Sequence, residues 1–227
     1  MEEMRVVEVK RDILAGNDEK ADAFRAMLAE RSTFFADIMA SPGAGKTTLL
    51  LALIKKLRER GCELDRMGVI EADLESMVDA LKIKEAGVTS VELNTKGVCH
   101  VEMGMVERAF SFFENRAFDY LFLENIGNLV CPSEFDTGAH CRVMLLSVPE
   151  GYDKVYKYPP MFAAVEALIV TKCDYLSLNP DFDMAALKRQ AAVLNSGIKV
   201  FVTSARTGEG LDELTTWFEG RRHALLD

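Results

Sequence analysis

The sequence predicts an α/β fold: a doubly wound, mostly parallel sheet with helices on both faces. Three observations predict it. From residue 33 onward, strand-like and helix-like stretches alternate. The strand-like stretches, such as DYLFLEN (119–125) and LIVTKCD (168–174), are near-continuous apolar runs, as expected when helices cover both sheet faces. The first of them, TFFADIMA (33–40), runs straight into SPGAGKTT (41–48), a glycine-rich corner that opens a helix.

Taken in order, residues 1–31 are charged and helix-friendly, with near-helical apolar spacing in DAFRAMLAER. They predict an N-terminal extension of one or two helices packed on a main domain of residues 32–227. After the first strand, KTTLLLALIKKLRERG is a helix ended by Gly61. MGVIEA (67–72) is a short strand, and LESMVDALKIKEAG (74–87) a helix stopped by Gly87. TSVELN (89–94) is a strand and HVEMGMVERAFSFFEN (100–115) a helix. DYLFLEN and RVMLLSVP (142–149) are strands, followed by a short helix in MFAAVEA (161–167). LIVTKCD, the helix MAALKRQAAVLNSG (184–197), the strand KVFVTSA (199–205) and the helix LDELTTWFEGRRHALL (211–226) complete the pattern. No internal repeat or low-complexity tract interrupts it.

Composition narrows the function. The chain has 227 residues, 49% of them apolar, enough for one domain with a full core. It carries 27 Lys and Arg against 36 Asp and Glu, a net charge of −9. That argues against a nucleic-acid partner, which needs a basic face. It leaves open a small anion held by backbone N–H groups. No secretory h-region precedes residue 12, and no run approaches the ~20 apolar residues that cross a bilayer. A cytoplasmic protein with no membrane partner is expected. Its five cysteines are then reduced, as buried thiols or metal ligands.

A strand, a glycine-rich turn and Gly-Lys-Thr opening a helix make a phosphate-binding P-loop. Gly43 and Gly45 let the backbone curl so that N–H groups, with those of Ala44 and Thr48, face one anion. Lys46 reaches the β- and γ-phosphates, and Thr47 offers its hydroxyl to Mg²⁺. The full pattern has glycine at both ends; here the first position is Ala40. Ala40 is tolerable if its backbone is ordinary.

Thr171-Lys172-Cys173-Asp174 ends a strand. The Asp174 carboxylate can accept two hydrogen bonds from guanine N1–H and N2–H₂, a donor pair that adenine lacks. Lys172 can lay its stem over the base. Ser204 and Ala205 follow the last strand, and the Ala205 N–H can meet guanine O6. The two segments together favour GTP over ATP.

Asp73 and Glu124 both end strands, on the rim where such folds bind ligands. Glu124-Asn125-Ile126-Gly127 has the form of an acidic-x-x-Gly switch. Glu124 is a candidate Mg²⁺ holder, Gly127 N–H a γ-phosphate donor, and Asp73 a Mg²⁺ ligand or orienter of the attacking water. Asn128 stands where a water-positioning Gln would follow, so slow hydrolysis is expected. Cys99, His100 and Cys131 fall in loops aimed at the same rim and form a thiol–imidazole set suited to Zn²⁺ or Ni²⁺. One tetrahedral position remains for a second copy, water or a delivered ion. His140-Cys141 precedes a strand at the opposite end and reads as structural.

These segments, with VIEADL, NTKGVCHVE, LFLENIGNLVCPSEFD, LSVPEGYDKVYKYPPMF and SARTGEG, closely resemble the hydrogenase nickel-incorporation GTPases of the HypB type, in the SIMIBI class. The Cys-Pro-His motif of urease accessory relatives is absent. The resemblance implies a GTP-hydrolysing metallochaperone for [NiFe]-hydrogenase, working with a maturation partner protein and the hydrogenase large subunit. It implies a GTP-promoted homodimer with Cys99, His100 and Cys131 binding Zn²⁺ or Ni²⁺ at the interface. It also implies a lysine of PEGYDKVYKYP, Lys154 in preference to Lys157, reaching the partner's nucleotide. Many members carry an N-terminal cysteine cluster or histidine tract for nickel. Here the first cysteine is Cys62 and there are three histidines, so tight nickel storage is not expected. The competing readings are a metal sensor without turnover, a urease-type nickel GTPase, and an ATP-dependent small-molecule kinase.

Overall fold

Strand β1 (Phe34–Ala40) is buried along its whole length and forms the axis of the sheet. The computed structural model describes residues 9–73, 78–113 and 116–227. Residues 1–8, the predicted first turn of the helix at 74–77, and 114–115 at the end of another lie outside them. The described residues form seven strands in the order β3-β2-β4-β1-β5-β6-β7, every pair parallel. The expected mostly parallel sheet is fully parallel among these residues. The other strands are β2 (Met67–Asp73), β3 (Thr89–Asn94), β4 (Tyr120–Gly127), β5 (Cys141–Ser147), β6 (Ala167–Thr171) and β7 (Lys199–Val202). Each matches a predicted apolar run to within a few residues.

The alternation of side chains along β1 shows why both faces need helices. Phe34, Ala36, Ile38 and Ala40 enter a core closed by α2 (Lys46–Glu59), α3 (Val78–Glu85) and α8 (Leu211–Leu226). Phe35 faces a second core under α1 (Val9–Glu30) and α4 (Met103–Ser111). Met39 joins a third, covered by α6 (Pro159–Ala163) and α7 (Met184–Leu194). Two short elements precede α6: a 3₁₀ turn at Val148–Glu150 and α5 (Lys154–Lys157). α4 begins at Met103, three residues later than the sequence pattern places it, leaving Cys99 and His100 in a bend.

The connectivity positions the site. From β1 the chain crosses to β2 and β3, returns to β4 on one side of β1, then continues to β5 on the other. The segments leaving β1, β4 and β5 therefore meet on one rim, at the switch in strand order where ligands bind in open α/β sheets. No helix among the described residues is long and apolar enough to cross a membrane.

Candidate functional site

The phosphate loop is held open by its neighbours. Ala40 closes β1 in strand conformation, and the left-handed backbone falls at Gly43 (φ 78°) and Gly45 (φ 97°). Alanine is thus accommodated at the position where the motif has glycine. Gly45 caps α2, with no side chain closing the helix end and no acidic residue in its first turn. The helix N–H groups and positive potential therefore remain available to an anion. Two loop carbonyls are taken up from outside: Thr171 Oγ1 donates to Ala44 O (2.7 Å) and Lys172 Nζ to Gly43 O (2.8 Å). Ser41 Oγ donates to Glu150 Oε1. Glu150 Oε2 in turn accepts from Ser147 N (2.9 Å) and Ser147 Oγ (2.6 Å), fastening the loop to the end of β5. Glu150 and Pro42 were not singled out from the sequence; nothing local marks a side chain 109 positions from Ser41 as its partner.

Beside the loop lies a cavity of about 200 Å³, lined by Gly45, Thr48, Lys172, Asp174, Ser204 and Ala205, with Tyr175 and Arg206 at its wall. The predicted base-reading residues thus converge. Asp174 Oδ1 accepts from Ser204 Oγ (2.7 Å), and Arg206 Nε lies 3.5 Å from Asp174 Oδ2. Lys172 (φ 56°) turns the chain at the end of β6, and its ammonium reaches the phosphate loop. Its stem therefore forms one wall of the cavity. Tyr175 and Arg206 each directly follow a predicted motif, and that adjacency was the available signal for them.

On the other side of the loop, buried Thr47 donates through Oγ1 to Glu124 Oε1 at 2.7 Å. A hydroxyl and a carboxylate so placed fit a hard, oxygen-seeking cation such as Mg²⁺. Asp73 ends β2, on the strand adjacent to β4, where Glu71 pairs with Glu124. Gly127 ends β4 against Pro42. Lys46 is the first residue of α2, and Lys154 the first of α5, with its ammonium 5.5 Å from the Tyr158 ring centre. Lys157 pairs with Asp153.

The predicted thiols meet. Cys99 Sγ and Cys131 Sγ lie 2.8 Å apart, although they come from loops after β3 and β4. Their hydrogen bond, then burial and mutual charge, raise the Cys99 thiol pKa. His100 Nδ1 is 4.0 Å from Cys99 Sγ, with its ring stacked on Phe135 at 3.8 Å. Among the described residues no group of three or more His, Cys, Asp and Glu converges as a metal cage. Two soft donors are in place, and the imidazole would have to leave Phe135 to join them. His140 is part of the scaffold: its Nδ1 accepts from Phe35 N–H (3.0 Å), so its Nε2–H donates to Arg25 O (3.0 Å).

Comparison with known proteins agrees with this fold. A family model described as "CobW/HypB/UreG, nucleotide-binding domain" matches residues 36–202. The hydrogenase maturation factor HypB of Azotobacter chroococcum is 42% identical over 227 residues, 100% of this chain and 72% of that one. The hydrogenase/urease maturation factor HypB of Helicobacter hepaticus is 34% identical over 220 residues, 95% of this chain and 88% of that one. The crystal structure of HypB from Helicobacter pylori in complex with nickel superposes with a TM-score of 0.84 at 32% identity, covering 92% of this chain and 96% of that one.

Proposed function

Because the chain belongs to the CobW/HypB/UreG family, among the HypB hydrogenase maturation factors, we propose that it is a GTP-hydrolysing metallochaperone that assists nickel insertion into [NiFe]-hydrogenase. Nickel is the cargo, with Zn²⁺ as an alternative occupant of the same donors. The protein is cytoplasmic in this reading, with its thiols reduced. Residues 32–227 form the GTP-binding domain and 1–31 its extension.

The observation that carries the reading is one span, residues 124–131. Glu124 touches Thr47 of the phosphate loop, Gly127 packs on Pro42, and Cys131 meets Cys99. Nucleotide chemistry and cargo donors share a continuous piece of backbone.

The residues divide the work. The loop amides of residues 43–48 and the α2 N-terminus hold the phosphates, and Lys46 neutralises charge as it develops on them. Asp174, Ala205 and Lys172 select guanine. Mg²⁺ would be held by Thr47 and Glu124, with Asp73 at the same rim as ligand or water-orienter, and would supply positive charge against the phosphates. Gly127 N–H reads the γ-phosphate. Its departure relaxes the span and loosens the cargo. Cys99, His100 and Cys131 supply three donors, and a two-fold homodimer promoted by GTP supplies the rest from a second copy. Lys154 reaches the partner's nucleotide; the pairing of Lys157 with Asp153 supports that choice. The hydrogenase large subunit and a maturation partner receive or deliver the metal.

Two measurements test this. Phosphate release from GTP should be slow but measurable, and abolished in Lys46→Ala. Nickel titrations with GDP and with a non-hydrolysable GTP analogue should give different affinities under dimer-forming conditions. Absence of turnover would leave a nucleotide-binding metal sensor instead, and equal affinities would refute the coupling.

A further inference from the structure

The two thiols come from strands that are not neighbours. β2 lies between β3 and β4, so the ends of β3 and β4 are separated by two strand spacings, about 10 Å. The loops must lean towards each other to bring Cys99 and Cys131 together. Two carboxamides span the gap. Asn128 Nδ2 donates to Cys99 O (3.0 Å), while its Oδ1 accepts from Val130 N–H (2.9 Å), immediately before Cys131. Asn17, buried on α1, accepts from Met103 N–H (2.8 Å) at the start of α4 and donates to Asp136 O (2.8 Å). Each amide satisfies one backbone group in the Cys99–Met103 segment and one in the Val130–Asp136 segment.

We propose that Asn17 and Asn128 are positioning residues of the thiol centre, two bridges that clamp its donor segments together from opposite ends. The proposal rests on Cys99, His100 and Cys131 being the cargo donors. It gives α1 a role in metal binding without a ligand of its own. The helix is anchored for it: Arg25 grips the Asp136 carboxylate with Nη2 (2.7 Å to each oxygen) and gives its Nε–H to Ala139 O (3.0 Å). A metal ion tolerates only small departures in donor spacing, and lost outer-shell support costs roughly 10- to 100-fold in affinity.

The test uses the full chain, reduced and metal-free, titrated with Ni²⁺ or Zn²⁺ against a chromophoric chelator. Asn17→Leu and Asn128→Ala should each bind metal roughly 10- to 100-fold more weakly. The thiolate-to-nickel charge-transfer band of the metal they retain should be weakened. Asn17→Leu should bind GDP as wild type does, which a general loss of fold would not allow. Asn17→Asp, which keeps the acceptor for Met103 N–H but not the donor to Asp136, should fall between. If Asn17→Leu fails to fold, Asn128→Ala, on a half-exposed loop, still decides the matter. Wild-type metal affinity and band intensity in the folded Asn variants, with binding lost in Cys131→Ser, would overturn the proposal alone. Undiminished binding by Cys131→Ser would overturn the donor assignment and the proposal with it.

Discussion

Gly127 sits so close to Pro42 that a β-carbon on it would lie 2.9 Å from Pro42 Cγ and 3.0 Å from Pro42 N. The end of β4 and the start of the phosphate loop touch where only hydrogen fits. This makes Gly127 a packing residue as well as a proposed switch residue. Gly127→Ala must push apart two backbone segments, an overpacking cost of about 1–3 kcal/mol. If the loop yields, nucleotide affinity should fall roughly five- to 150-fold. Calorimetric titration with GDP and a GTP analogue checks this; unchanged affinity for both would show that the contact relaxes freely.

In the proposed function, guanine selection turns on Asp174. It is mostly buried, and its Oδ1 already holds the Ser204 hydroxyl. Asp174→Asn replaces an acceptor pair with one acceptor and one donor, and that donor faces guanine N–H groups. GTP affinity should fall by at least about 100-fold, the scale on which mismatched buried hydrogen bonds discriminate. Xanthosine triphosphate carries a carbonyl where guanine has its amino group, and should gain on the variant. Competition binding with the two nucleotides and ATP measures the reversal. A variant that still preferred GTP would remove Asp174 from base recognition.

The sheet was legible because each strand is an apolar run whose period and flanking turns are local properties. The phosphate loop and the proposed base-reading segments were legible because each is a short contiguous motif, and the two thiols because their loops leave strands on one rim. The supports between motifs were not. Asn17 sets the start of α4 from 86 residues away, and the helical pattern of HVEMGMVERAF carries no trace of it. Lys172 looked like a residue that covers a base, yet its charge also fastens Gly43 of the phosphate loop. Glu150 lay unnoticed in PEGYDK because its partner Ser41 is distant in sequence. Long-range polar contacts follow from which loops the topology brings to one rim, and no local period encodes them.

Thr47 and Glu124 are already joined at 2.7 Å, so the proposed cation site is partly organised beforehand. Thr47→Val keeps the shape and removes the hydroxyl. The variant should lose the bond to a charged acceptor, about 1.5–3 kcal/mol of stability. More diagnostically, it should lose the gain in GTP-analogue affinity that Mg²⁺ gives the wild type. Titrations with Mg²⁺ and with a chelator separate the two effects. An equal Mg²⁺ gain in both proteins would remove Thr47 from the cation site.

His140 makes its hold on β1 sensitive to acid. Burial above all holds its pKa below the ordinary 6.5, with the Arg25 and Arg221 charges acting the same way and the Arg25 carbonyl opposing them. Its Nδ1 must stay unprotonated to accept from Phe35 N–H. In the unfolded chain it titrates near 6.5. As pH falls through that value the unfolded state takes up a proton that the folded state resists. The His140 contribution is thus complete above about pH 7.5 and declines below about 6.5, by at most ~1.4 kcal/mol per pH unit. Buried Asp37, whose carboxyl is raised by burial, acts in the opposite sense and is common to both proteins compared. Thermal melts of wild type and His140→Gln from pH 7.5 to 5.5 should therefore diverge, the wild type losing more. Amide exchange should place the loss first at Phe35, whose N–H loses its acceptor when Nδ1 is protonated. Parallel melting curves would mean that His140 titrates alike in the folded and unfolded chain.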